Sequence, residues 1–473
     1  MNRETEQHEP EQHEPEQHEP EQHEPDQHAA TVTRRSFLGL AGTMGIGTAT
    51  RRVRVTKTSS KPATAVAATG PTSTAPTSSA APTSSAASST SPGTSSASRA
   101  GIPATPGILV LVTLYGGNDG LNTLIPLDAG PYLSGRGPLA YKGTEALGLG
   151  DGFGLHPAMT GLKSLWDSQR LAVVRGVGYP SPSRSHFRSQ DIWSSAVPSS
   201  YERTGWIGRW YDKVSNDPLG LAAISSAAPR SFNGSTGNGV VIDTVNTRQG
   251  PAADVVAATA ILNRADDSMG ALAARVRATG NDLGRVEQVF RPMLVSQPTT
   301  PIQAATLESP NGARAGNALT DQLNIVARLI KADAPTRVYA VSLGGFDTHA
   351  NEKANHANLM GILDKAIGGF VQVMAGDPRG QRVTVAVMSE FGRRLAANGS
   401  GGTDHGTAAP VLIAGPSVKG GYYGDPPSLT DLDQGDLKFT TDFRRIYATL
   451  LSGVLGADPA MSLDANYLPL GFL

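Results

Sequence analysis

Between Ala104 and the C-terminus the chain carries five histidines, His156, His186, His349, His356 and His405, in the polar segments at or after the ends of predicted strands. Core-filling histidines would be scattered. The sequence has no cysteine, so thiolate ligands, thiol nucleophiles and disulfides are excluded, and a metal must sit on His, Asp, Glu, Ser or Asn. Asp119, Asp347, His349, Glu390 and His405 supply carboxylate oxygen and imidazole nitrogen, which suits one or two divalent ions, Zn²⁺, Mn²⁺ or Mg²⁺, chosen by geometry and supply. Taken singly, each has a plainer reading. Asp119 serves equally as a turn residue or helix cap, Asp347 as a cap on the helix that follows, Glu390 as an ion-pair partner of Arg393 or Arg394, and His405 as a hydrogen-bonded loop residue.

Residues 183 to 191 read Ser-Arg-Ser-His-Phe-Arg-Ser-Gln-Asp, rich in groups that bind oxyanions. Metal coordination activates a serine hydroxyl, and an arginine fork holds phosphoryl or sulfuryl oxygens. Ser185 is the preferred nucleophile, with His186 beside it and Ser183 and Ser189 behind; a solvated Ser/Arg loop is the alternative. Asn118, Arg184, Arg393, Asp404, His156 and His356 flank these positions as supporting candidates. Asp404 compensates as a ligand or orients His405. His156 precedes Pro157 at a helix start, and His356 lies seven residues past His349, two turns along one helix face.

Such residues need a scaffold that gathers them. Residues 107–114 form a continuous apolar run with β-branched members, the pattern of a strand buried on both faces, and 171–175, 336–341 and 382–388 have the same character, with 410–414 a further strand. Helical patterns intervene at about 157–168, 253–275, 316–332, 353–376 and 441–453. The alternation predicts an α/β fold, a mostly parallel sheet with helices on both faces, whose ligands gather outside the carboxyl ends of the strands. Gly116-Gly117-Asn118-Asp119, Gly345-Phe346-Asp347-Thr348-His349 and Ser389-Glu390-Phe391-Gly392-Arg393 stand at those ends, and Thr403-Asp404-His405 precedes the last strand. The glycines of residues 148–154 have no dinucleotide-binding spacing and read as a flexible loop near the site.

The chain of 473 residues is 39 % hydrophobic, enough for one large core or two medium ones. Four segments are expected. Residues 1–32 are a disordered tail of Glu-Gln-His-Glu-Pro repeats, 33–56 an export-signal region around Arg34-Arg35, 57–105 a Ser/Thr/Pro/Ala linker, and 106–473 the folded domain. The apolar run after Arg34-Arg35 is too short to span a bilayer, so no stable transmembrane anchor is expected, and the pair resembles a twin-arginine signal read by the twin-arginine translocase. An exported protein, extracellular or in the cell envelope, follows. Net charge is −1, the sequence pI is about 6.8 and aromatic residues are 5 %, which argues against a nucleic-acid partner.

Gly116-Gly117-Asn118-Asp119-Gly120-Leu121-Asn122, Ser185-His186-Phe187, Gln190-Asp191, Gly345 to His349, Ser389 to Arg393 and Asp404-His405-Gly406 together resemble the family catalogued as domain of unknown function 1501, over Ile108 to Leu473. That family is similar to the alkaline phosphatase and sulfatase superfamily, which implies an alkaline phosphatase-like domain with divalent ions at strand ends and a serine, threonine or modified cysteine nucleophile. By that resemblance Asp119 matches the aspartate after the first strand, Ser185 the nucleophile, Asp347 and His349 one metal site, and His405 the late histidine before a strand. Where the superfamily shows Asp-His-Gly, this chain has Glu390-Phe391-Gly392, which keeps a carboxylate and loses an imidazole.

The resulting expectation is an exported metal-dependent hydrolase of phosphate or sulfate esters, small or polymer-borne. A non-catalytic envelope or carbohydrate-binding protein on a degenerate scaffold is the alternative. A serine esterase is disfavoured, since the chain has no Gly-x-Ser-x-Gly elbow.

Overall fold

Apolar side chains on both sides of residues 108–114 require two covering layers, and the computed structural model supplies them. It describes residues 46–48, 106–237, 239–243, 264, 270–296, 302 and 315–473. The repeat tail, the arginine pair, the linker and most of the helix expected at 253–275 lie outside the described residues. The central sheet comprises β1 (Ile108–Leu114), β2 (Leu171–Gly178), β3 (Leu221–Ile224), β4 (Val240–Ile242), β5 (Val338–Leu343), β6 (Val383–Ser389), β7 (Ala409–Ala414), β8 (Gly421–Tyr423) and β9 (Thr441–Asp442). Its order is β4-β3-β5-β1-β6-β7-β2-β8, with β9 beside β2 and Ile46–Thr48 pairing antiparallel with β4 at the outer edge. Pairing is mostly parallel, as expected. β7 is the departure, running antiparallel to both β6 and β2.

The helices are α1 (Gly120–Thr123), α2 (Gly130–Arg136), α3 (Thr160–Asp167), α4 (His186–Ser195), α5 (Trp206–Val214), α6 (Gly270–Ser296), α7 (Ala315–Lys331), α8 (Glu352–Ala375) and α9 (Phe443–Gly453). Alternation along β1 divides them between two cores. Ile108, Val110, Val112 and Leu114 pack with Leu162 of α3, Val326 of α7 and Met360, Leu363 and Phe370 of α8. Leu109 and Leu111 face the other way, toward Trp193 of α4, Trp206 and Trp210 of α5 and Phe443, Ile446 and Tyr447 of α9. Helices therefore cover both faces. Among the described residues, no helix is long and apolar enough to cross a membrane.

The register decides where function can sit. β1 pairs Leu114 with Leu343 of β5 on one side and with Ser389 of β6 on the other. Three parallel strands thus end level and release the loops beginning at Tyr115, Gly344 and Glu390 at one edge. The glycine-rich 148–154 segment is a hairpin rather than a flexible loop, with Leu147–Gly150 and Phe153–Leu155 paired and Leu124–Pro126 alongside.

Candidate metal centre

Three separate parts of the chain deliver the site. His186 is the first residue of α4, Asp347 lies in the loop between β5 and α8, and His405 ends the strand Thr403–His405, which pairs with Arg393–Ala397 in a small hairpin. Their ligand atoms lie within 4.8 Å of one another. His186 Nε2 is 3.1 Å from His405 Nε2, His405 Nε2 is 3.1 Å from Asp347 Oδ1, and His186 Nε2 is 3.6 Å from Asp347 Oδ2. Ligands bonded to zinc at about 2.0–2.2 Å in tetrahedral geometry are separated by roughly 3.3–3.6 Å, so the longest of these spacings matches a common ion and the two of 3.1 Å fall slightly short of it. His349 stands next to them, its Nδ1 3.0 Å from Asp347 Oδ1 and its side chain 44 % exposed.

The ring orientations are fixed from behind. His186 Nδ1 donates to Glu390 Oε1 at 2.8 Å, and His405 Nδ1 donates to the Arg184 carbonyl at 2.9 Å, since neither acceptor has a proton to give. In the tautomers these bonds select, both Nε2 atoms carry lone pairs, aimed at each other and at a carboxylate. Only a cation between them, proton or metal, makes that arrangement favourable. Burial first, and then the nearby Arg393 and His186, lower the His405 pKa from its ordinary value, against the contacts with Asp347 and the Arg184 carbonyl, which raise it. Burial would raise the Asp347 pKa, but the hydrogen bond from Arg393, the His405 ring beside it and the Arg393 charge outweigh it and bring it down to about 2. Asp347 is thus an anion beside two imidazoles at neutral pH.

Arg393 is the staple of this edge. Its side chain is wholly buried and donates to the carbonyls of Gly116, Gly117, Phe346 and Thr403 as well as to Asp347 Oδ1 at 2.7 Å. One guanidinium ties together the loops that follow β1 and β5 and the hairpin carrying His405. Close packing there requires glycine. Gly116 and Gly117 have φ of 118° and 71°, and a Cβ would meet the Asp347 nitrogen at 2.4 Å in the first case and the Phe391 ring at 2.2 Å in the second.

Two expected ligands are committed elsewhere. Glu390 Oε1 accepts from His186, from Gly116 N at 2.9 Å and from Gln190 Nε2 at 3.3 Å, while Oε2 accepts from Ser389 Oγ at 3.0 Å. Glu390 orients His186 from beneath; it is not brought into the cluster as a ligand. Asp119 is fully buried, caps α1 through Leu121 N and Asn122 N, and pairs bidentately with Arg136 at the end of α2. With a guanidinium already on its oxygens, it has no role left for an ion. Arg136 also approaches Glu352 Oε1 at 3.9 Å, and Glu352 Oε2 accepts from Thr403 Oγ1 at 2.7 Å. Burial and the Asp119 charge raise the Glu352 pKa far above the ordinary carboxylate range.

The supporting candidates divide similarly. Asn118 bonds Thr123 Oγ1 and His356 Nε2, so His356 faces inward, away from the cluster, and His349 precedes α8 instead of sharing a face with it. His156 donates to Tyr141 Oη and accepts from Ala158 N. Burial, first of all, lowers both pKa values, to about 3 for His156 and about 4 for His356, so both are neutral structural groups. Asp404 is exposed and takes a bond from Asn398; the Arg184 carbonyl, not Asp404, orients His405. The Arg184 guanidinium pairs with Asp436, which leaves it unavailable as an oxyanion clamp. Ser185 is the exposed N-cap of α4, its Oγ accepting only from Arg188 N at 3.5 Å among the described residues. Sequence reasoning placed His186 beside Ser185 as a catalytic candidate and did not expect it among the clustered donor atoms. Arg136, Glu352 and Asp436 were missed altogether, because nothing local marks them.

A family model described as "Protein of unknown function (DUF1501)" matches residues 174–461, which includes His186, Asp347, His349, Glu390, Arg393 and His405 and leaves out Asp119. Among solved structures, the chain is similar to a protein in the alkaline phosphatase superfamily from Vibrio parahaemolyticus, at 13 % identity over 76 % of this chain and 69 % of that one, with TM-score 0.36. It is also similar to the lipoteichoic acid synthase LtaP from Listeria monocytogenes (10 %, 76 % and 74 %, TM-score 0.34) and to the alkaline phosphatase from the Antarctic bacterium TAB5 (12 %, 66 % and 92 %, TM-score 0.29). No curated protein matches the sequence.

Proposed function

The chain belongs to the DUF1501 family, and we propose that it is an exported metal-dependent hydrolase of phosphate or sulfate esters with a single divalent ion on His186, Asp347 and His405. The observation that carries this reading is the convergence of two Nε2 lone pairs 3.1 Å apart on one carboxylate, each ring held by a fixed acceptor behind it. His349 stands ready as a fourth ligand. One ion, rather than two, follows from the commitment of Asp119 to Arg136 and of Glu390 to His186. Two imidazoles and a carboxylate suit Zn²⁺ best, with Mn²⁺ next and Mg²⁺ least.

Such an ion supplies Lewis acidity to an ester oxygen. Ser185 supplies the nucleophile, from an exposed position one residue before His186, with a hydroxyl that, among the described residues, only a long bond from Arg188 N engages. Glu390 holds His186 in the tautomer that presents Nε2 outward, and Arg393 holds Asp347 ionised. The motif resemblance to the alkaline phosphatase and sulfatase superfamily supports ester hydrolysis as the reaction class.

Elemental analysis of the purified full chain, followed by a screen of phosphate and sulfate monoesters and diesters, tests the reading. Expected are about one bound divalent ion per chain, turnover of at least one ester, loss of turnover in chelator, and loss in Ser185→Ala with metal retained. Turnover that survives chelator overturns it. A metal-loaded protein inert on every ester favours the second reading, a non-catalytic envelope protein, which the single ligand set permits.

A further inference from the structure

The two imidazoles are held by tethers of different length. His186 bonds directly to the carboxylate of Glu390, whereas His405 bonds to a backbone carbonyl, that of Arg184. A carbonyl is only as fixed as its segment, and residues 179–185 lie between β2 and α4 with no helix or strand of their own. Ser183 before it is tied through its carbonyl to Ser189 Oγ at 2.7 Å and through its nitrogen to Tyr179 Oη at 3.2 Å, and Arg184 itself is tied by its side chain. Asp436, 3 % exposed, stands in the short hairpin of Leu432–Asp433 and Asp436–Leu437, and its Oδ2 accepts from Arg184 Nε at 2.7 Å and from Arg184 Nη2. Its other oxygen lies 3.3 Å from Arg394 Nε, next in sequence to Arg393.

We propose that Asp436 is a positioning residue of the metal centre, anchoring Arg184 so that the Arg184 carbonyl holds His405 in the Nδ1–H tautomer with Nε2 free for the ion. The proposal rests on the metal reading for its consequence, but not for its geometry. A neutral imidazole in water favours the Nε2–H tautomer, so an unanchored Arg184 lets His405 revert and present a proton where the ligand lone pair must be. Outer-shell partners of metal-bound histidine are worth roughly 10–100-fold in affinity, and a tether acting one residue removed belongs at the low end, about tenfold.

The test uses the full chain labelled with ¹⁵N-histidine, as wild type, Asp436→Asn and Arg184→Met. The second variant keeps the carbonyl and removes its anchor. In zinc-free protein at pH 8, with His405 assigned through His405→Gln and His186 through His186→Gln, wild type is expected to show His405 protonated at Nδ1. Both variants are expected to show a mixture shifted toward Nε2–H, with His186 unchanged. Zn²⁺ affinity should fall about tenfold in both. A His405 tautomer unchanged in both variants overturns the proposal, whatever happens to affinity, and so does an equal change at His186, which would mark general loosening. If the tautomer shifts as expected but wild type binds no Zn²⁺, the positioning role stands and the metal reading falls.

Discussion

Two clusters of ionisable groups sit near the same sheet edge, and they solve the burial of carboxylates in opposite ways. Around Asp119, the chain brings its own cation: Arg136 lies on both carboxylate oxygens, both side chains are fully buried, and Glu352 stands within reach. Around Asp347, the side chain is 50 % exposed and its partners include three imidazoles, whose charge depends on conditions. The first is a closed ion pair of the core, the second an open set of donor atoms. An acid at a strand end is therefore a ligand candidate only when a guanidinium does not occupy both its oxygens: Arg136 takes both of Asp119, whereas Arg393 takes only Oδ1 of Asp347.

Breaking the closed cluster should have the larger effect on stability. Arg136→Met leaves Asp119 as an uncompensated buried charge, and a loss of about 3–5 kcal/mol is expected in urea unfolding, with the folded fraction still binding one Zn²⁺. If metal binding disappears while stability holds, the division between the clusters is wrong. Asp347→Ala breaks the open set. Its Zn²⁺ affinity should drop by more than the roughly 100-fold that the loss of an outer partner costs, as read by competition with a chromophoric chelator.

Glu390→Gln sharpens the distinction between a ligand and its support. An amide in the place of the carboxylate weakens the hold on His186 Nδ1–H, and affinity should fall about 10–100-fold without loss of stoichiometry. Stoichiometry dropping to zero would restore Glu390 as a direct ligand. The smallest expected effect is a pH slope. Glu352 has its folded pKa raised above the ordinary 4.5, so its contribution to stability is fully present below pH 4.5 and is lost as pH rises into the alkaline range. Between those limits the folded state holds more protons than the unfolded, so stability declines as pH rises. Urea midpoints against pH should show it in wild type and not in Glu352→Gln; parallel curves would refute it.

Much of the scaffold was legible because burial on both faces leaves an unbroken apolar signal. The runs at 107–114 and 382–388 became the adjacent parallel strands Ile108–Leu114 and Val383–Ser389, and the helices at 316–332 and 353–376 were observed within a residue. Strands β3 and β4, of four and three residues, were too short to show a period. The site was legible as a set of loops but not as a set of bonds. Asp347, His349 and His405 were expected as ligands and do come together, whereas His186 joins the donor cluster and Glu390 lies behind it, because which atoms face one another depends on rotamer and not on residue type. Asp119 could not be recognised as paired, since Arg136 closes α2 in Gly130-Pro-Tyr-Leu-Ser-Gly-Arg136, a segment without a helix-face pattern.

The three donors come from distant places, with 219 residues between His186 and His405 and 58 between Asp347 and His405. No stretch of the unfolded polypeptide can gather them, so an ion recognises the finished topology and little else. Held at a hundred times its dissociation constant, it would add about 2.7 kcal/mol to the native state. Occupancy would then serve as a certificate of complete assembly, written only after the hairpin bearing His405 has docked against the first turn of α4.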